Sequence, residues 1–204
     1  MKLPIGRRRR NEVYFQAMCS PWKTNYYILT GPPGAGKTSL LQGLRKQGLY
    51  GVGEPARAVL SHQLAIDGPG LPAKNPLLFI QMMLKQSIED FEEAKARTGP
   101  VFFDRGIPDL VAYALRFGVE CEEFENAARG YLYNPTVFVL PPRKEIFVND
   151  NERRISFEGS VEFHLLLTQT YERLGYEQIL VPFANIETRA SFIIQETAVS
   201  GSGR

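Results

Sequence analysis

Cysteine and histidine are both scarce. The 204 residues hold two cysteines, Cys19 and Cys121, and two histidines, His62 and His164. Two cysteines exclude a disulfide framework, and neither sits in a metal-spaced cluster, so zinc chemistry is not expected and a reducing, cytoplasmic setting is. No apolar run approaches the roughly 20 residues that span a bilayer, and the N-terminus lacks the apolar core of a secretory signal. Net charge is nearly absent too, at +2, too little to argue for nucleic acid on its own. The exception is Arg7-Arg8-Arg9-Arg10, which reads as a solvated tail or as an arm for nucleic acid or an acidic membrane surface. Residues 1–22 are set apart as a tail, native or added, because Asn11 to Gln16 is imperfectly similar to a protease-cleavage tag. The expected organisation is one domain over residues 23–198, with a loose end at 199–204. The oligomeric state is left open.

What is present is concentrated in Gly31-Pro32-Pro33-Gly34-Ala35-Gly36-Lys37-Thr38. It fills every fixed position of G-x-x-x-x-G-K-[ST], the phosphate-binding P-loop. Tyr26 to Thr30 before it reads as a strand, and Ser39 to Arg45 after it as a helix. The glycines permit backbone conformations that a Cβ forbids. Successive N–H groups then form an anion nest at a helix N-terminus. The candidate nucleotide-binding residues are Gly31, Pro32, Pro33, Gly34, Ala35, Gly36, Lys37, Thr38 and Ser39. Lys37 would meet the β- and γ-phosphates, and Thr38 the Mg²⁺ that bridges them. No Asn-Lys-x-Asp run marks guanine, so ATP is the expected nucleotide.

Further apolar runs at 48–53, 101–104, 136–140 and 178–181 read as strands. Helical patterns run through 54–66, 75–97, 108–117, 122–131, 159–174 and 185–198. Strands alternating with helices predict an α/β, three-layer α/β/α architecture whose parallel sheet has five strands, the P-loop strand central.

Phosphoryl transfer also needs a group for the acceptor's proton, and cations for the transferred charge. Three places offer them. Glu54 in Glu54-Pro55-Ala56-Arg57 ends the second strand and is a candidate base, with Arg57 for the substrate; alternatively the glutamate complements a helix dipole. Asp104-Arg105 ends the third strand. Asp104 can serve the magnesium shell or exchange roles with Glu54. Arg105 can reach a substrate, or alternatively ties strand to helix as an ion pair. Arg153-Arg154 lies in a polar loop and can close over the γ-phosphate, or is a solvated turn.

These stretches resemble P-loop kinases of nucleosides and related small molecules. Deoxynucleoside kinases carry a Glu-Pro stretch whose glutamate is the base, and an acid-Arg-Ser stretch at the third strand; here Gly106 replaces that serine, and no tryptophan follows Glu54. Over about residues 26–195 the chain is similar to small bacterial AAA-domain predicted ATPases grouped with the ribosylnicotinamide-kinase domain. The likeness rests on Glu54-Pro55-Ala56-Arg57, Asp104-Arg105-Gly106-Ile107-Pro108-Asp109 and Asn151-Glu152-x-Arg154. It implies transfer of the γ-phosphoryl of ATP to a small hydroxyl-bearing acceptor, nucleoside-like or another metabolite. Two alternatives stand beside this: an ATPase using water, and a nucleotide-dependent switch that binds protein or nucleic acid. The stretch 55–98, with Gly68-Pro69-Gly70 and Met82-Met83, is expected to shape the acceptor pocket.

Overall fold

The computed structural model describes residues 22–144 and 155–202. Its strands are β1 (Tyr26–Thr30), β2 (Tyr50–Val52), β3 (Val101–Asp104), β4 (Thr136–Val139) and β5 (Glu177–Leu180). All pair in parallel, in the order β2-β3-β1-β4-β5, so the P-loop strand lies in the middle of a five-stranded sheet. Register is set by alternation, since successive side chains point to opposite faces. Tyr26 and Ile28 enter one core, with Val101, Phe103, Val137 and Val139. Tyr27 and Leu29 enter the other, with Phe102 and Phe138. Both faces are therefore apolar, as a parallel sheet between two helical layers requires.

The smaller core is closed by α1 (Lys37–Lys46) and by α7 (Ile186–Ser202). The larger is closed by α2 (Pro55–Ala65), α3 (Pro76–Glu93), α4 (Ile107–Phe117), α5 (Glu122–Gly130) and α6 (Phe157–Arg173). Helix starts follow local chemistry. The Asn75 side chain accepts the Leu78 N–H, and the Ser156 hydroxyl accepts the Gly159 N–H, each at 3.0 Å.

Three boundaries differ from the sequence expectation. The long third helix gives way to a 3₁₀ turn at Ala94–Ala96. The last helix runs on to Ser202 rather than stopping at 198, through Gly201. Trp22, set apart with the tail, packs edge-on against Tyr176 with ring centroids 5.2 Å apart. Among the described residues no helix is long and apolar enough to cross a membrane.

Candidate active site

The C-terminal edge of the sheet gathers the chemistry, as the topology of open α/β sheets predicts. The P-loop leaves β1 there and turns into α1. Gly31 has φ 142°, and a Cβ on it would sit 2.3 Å from the Leu140 carbonyl oxygen. Glycine at this position is thus required twice, by conformation and by space. Gly36 caps α1 in the left-handed region, at φ 83°. Lys37 is buried, its ammonium donating to the carbonyls of Gly31 (2.9 Å) and Pro32 (3.0 Å). The cation therefore rests inside the loop that a polyphosphate would occupy.

The Thr38 hydroxyl donates to Asp104 Oδ2 at 2.8 Å. Asp104 is fully buried at the end of β3, and its Oδ1 has no hydrogen-bond partner. Burial pushes its carboxyl above the usual carboxylate range. Glu54 pushes the same way, while Lys37, Arg105 and the Thr38 hydrogen bond pull it down and are outweighed. An orphaned buried carboxylate oxygen beside a threonine hydroxyl is a donor set suited to a hard divalent cation. Thr38 and Asp104 therefore fit the Mg²⁺ assigned to them.

Arg105 follows in the left-handed region, φ 78°, a costly conformation outside glycine. The turn aims its side chain inward. Nε donates to Glu54 Oε1 at 2.7 Å and Nη1 to Asp109 Oδ1 at 2.9 Å, with all three side chains buried. Its guanidinium lies over the rings of Tyr113 (5.4 Å) and Phe163 (5.9 Å), and Nη2 is buried without a partner. Arg105 thus joins the second strand's exit to α4, as the ion-pair alternative anticipates.

Asp109 is the hub that sequence reasoning passed over. It is fully buried and also accepts the Thr30 hydroxyl (2.8 Å), the Gly106 N–H (3.0 Å) and the Tyr171 hydroxyl. Its signal was available: an acid three residues after a glycine at a helix start is one half of a capping box. Its other partners come from distant β1 and α6.

Arg57 is exposed one turn into α2. Arg153 and Arg154, with the Arg7–Arg10 tail and Cys19, lie outside the described residues.

Beside the P-loop lies a cavity of about 420 Å³. Pro33 forms its P-loop wall; Ala56, Leu60 and Leu64 come from α2, and Leu71, Pro72 and Ala73 from the loop after it. Phe79 of α3, Tyr113, Arg116 and Phe117 of α4, and Ile155 and Phe163 complete it. Glu54, Arg57, Asp104 and Arg105 are not in this lining, although Glu54 stands two residues before Ala56, which is; Met82 and Met83 are not in it either. Met83 is core, and Met82 fills the space under Gly70. The 55–98 stretch supplies one wall, from Ala56 of α2 to Phe79 of α3; the other wall is α4 and α6.

A family model described as an AAA domain matches residues 26–189. No curated protein matches the sequence. Among solved structures, the chain is similar to the NadR protein in complex with NR, at 19% identity and a TM-score of 0.66, over 86% of this chain and 51% of that one. It is also similar to shikimate kinase from Acinetobacter baumannii in complex with shikimate, at 16% identity and a TM-score of 0.54, over 88% of this chain and 96% of that one. At these identities the likeness is one of fold, the three-layer α/β/α fold of P-loop kinases. The chain spans about half the length of the NadR chain it matches.

Proposed function

The chain belongs to the AAA-domain family, and from that premise we propose that it is a P-loop kinase transferring the γ-phosphoryl of ATP to a small hydroxyl-bearing acceptor held in the cavity beside Pro33. The observation that carries this reading is the shared wall. Pro33 belongs both to the phosphate-binding loop and to the lining of a 420 Å³ cavity. An ATPase needs only a water molecule as acceptor and has no use for an apolar chamber of that size.

The residues divide the work. The backbone N–H groups of residues 34–39 hold the triphosphate, Pro32 and Pro33 having none to donate, and Lys37 exchanges two loop carbonyls for phosphate oxygens. Thr38 and Asp104 would hold Mg²⁺, which supplies charge neutralisation at the β- and γ-phosphates. With Asp104 engaged by Thr38, the proton of the acceptor hydroxyl falls to Glu54. Arg105 holds Glu54 in one orientation at 2.7 Å, anchored in turn by Asp109. Arg105 is in this account a positioning residue, although the sequence alone also allowed it a substrate contact.

The test is a pair of conservative substitutions. Glu54→Gln keeps the size and a partner for Arg105 but cannot take a proton. Acceptor-dependent turnover is expected to fall about 10²–10⁴-fold with nucleotide affinity unchanged. Asp104→Asn is expected to weaken magnesium-dependent nucleotide binding in a titration. Unchanged phosphoryl transfer in both folded variants would refute these assignments.

A further inference from the structure

We propose that the cavity selects an acceptor with an apolar, ring-sized body and an anionic substituent, and disfavours polyhydroxylated or ribosyl compounds. This rests on the reading of the cavity as the acceptor site. It goes beyond that reading by naming the acceptor's chemistry.

The lining is almost without polar side chains. Among the described residues only Tyr113 and Arg116 carry a nitrogen or oxygen beyond the backbone, and no described Asp, Glu, Asn, Gln, Ser, Thr or His lines the wall. A polyol leaves water with several hydroxyls, each needing a partner when buried. Two polar side chains cannot serve four or five hydroxyls. The rings of Phe79, Phe117 and Phe163 suit a flat apolar body instead, and about 420 Å³ accommodates one or two fused rings.

Arg116 supplies the second half. It is half-buried on α4, packed over the Phe163 ring with its guanidinium carbon 5.1 Å from the centroid. One of its nitrogens, Nη1, donates to the Gly159 carbonyl at 3.1 Å. Among the described residues no carboxylate lies within ion-pair distance of it. Arg105 and Arg129, by contrast, each have an acidic partner. A guanidinium fixed by a stacked ring and one carbonyl, with its remaining N–H groups beside an apolar chamber, is preorganised for a carboxylate, sulfonate or phosphate. The hydroxyl to be phosphorylated would then point toward Pro33 and the P-loop.

The experiment measures binding to the full chain by ligand-observed NMR, without nucleotide. The probes are 4-(hydroxymethyl)benzoate and 6-(hydroxymethyl)-2-naphthoate, their neutral methyl esters, and ribose. The carboxylates are expected to bind saturably and about ten-fold more tightly than the esters, with no saturable ribose signal. Arg116→Gln should remove that advantage and Arg116→Lys restore part of it. Ala73→Trp, at an exposed lining position that leaves the core untouched, should block both carboxylates. Tighter binding of ribose, carboxylate binding indifferent to Arg116→Gln, or no carboxylate binding would each overturn the proposal. Binding of a fluorescent ATP analogue with Mg²⁺ is followed in parallel. Its absence, with carboxylate selectivity intact, would sink the kinase reading and leave the cavity's chemistry standing.

Discussion

Asp104 brings a carboxylate into a place with no solvent exposure and leaves one of its oxygens without a partner. Such a group is costly in the free protein and useful once a cation arrives. Its raised pKa fixes the sign of the effect on folding. A carboxyl that holds its proton more tightly when folded contributes stability in full below the ordinary carboxylate range. That contribution is lost as pH rises through the elevated folded value. Asp104→Asn should therefore flatten the fall in unfolding free energy between acid and neutral pH. At neutral pH it should stabilise the nucleotide-free protein by on the order of 1 kcal/mol. Urea melts across pH give the answer; an unchanged slope would mean the burial cost is already compensated. Gly31 behaves oppositely. Alanine there meets the Leu140 carbonyl at 2.3 Å and a φ of 142°, so Gly31→Ala should cost about 2–4 kcal/mol in the same melts.

Among elements, the one that organises the site is α4. Its first turn carries Asp109 and receives Arg105 from the end of β3, while Tyr171 of α6 closes over the same carboxylate. Burial and the neighbouring Asp109 push the Tyr171 phenol well above its usual range, so it stays a donor throughout the working pH. The two helices also share the cavity wall, through Tyr113 and Arg116 on one and Phe163 on the other. Loosening their junction should therefore reach the site. Tyr171→Phe is expected to cost about 1–3 kcal/mol, and Asp109→Asn about 3–5 kcal/mol because it leaves buried Arg105 undercompensated. If Glu54 depends on Arg105 for its aim, Tyr171→Phe should also lower kcat with little change in nucleotide affinity. A stability loss with kcat intact would make the junction merely structural.

At the scale of the whole molecule, five parallel strands and their flanking helices were legible because β1, β3 and β4 are short, dense apolar runs, while β2 and β5, at the sheet edges, are short segments marked by neighbouring glycine or proline. Tyr26 to Thr30 and Val101 to Asp104 appear within the predicted bounds. Placing β1 centrally followed from the P-loop it carries. The partners of Arg105 were not legible. Its backbone turn into the left-handed region is dictated by tertiary packing, and Glu54 and Asp109 lie 51 residues before it and 4 after it. Phe163, in the helical pattern read over 159–174, is core, at 1% exposure. That it also walls a cavity depends on how α6 crosses α4, which periodicity does not record. The proposed kinase activity requires that the cavity and the P-loop act on one reaction. The most direct measurement is mass spectrometry of the full chain incubated with Mg²⁺, ATP and a panel of hydroxyl compounds, with ADP release followed and Lys37→Ala as the blank. ADP release is expected to depend on one acceptor class, with a phosphorylated acceptor absent from the blank; ADP release indifferent to every acceptor, with all phosphate appearing as inorganic phosphate, would refute the kinase reading.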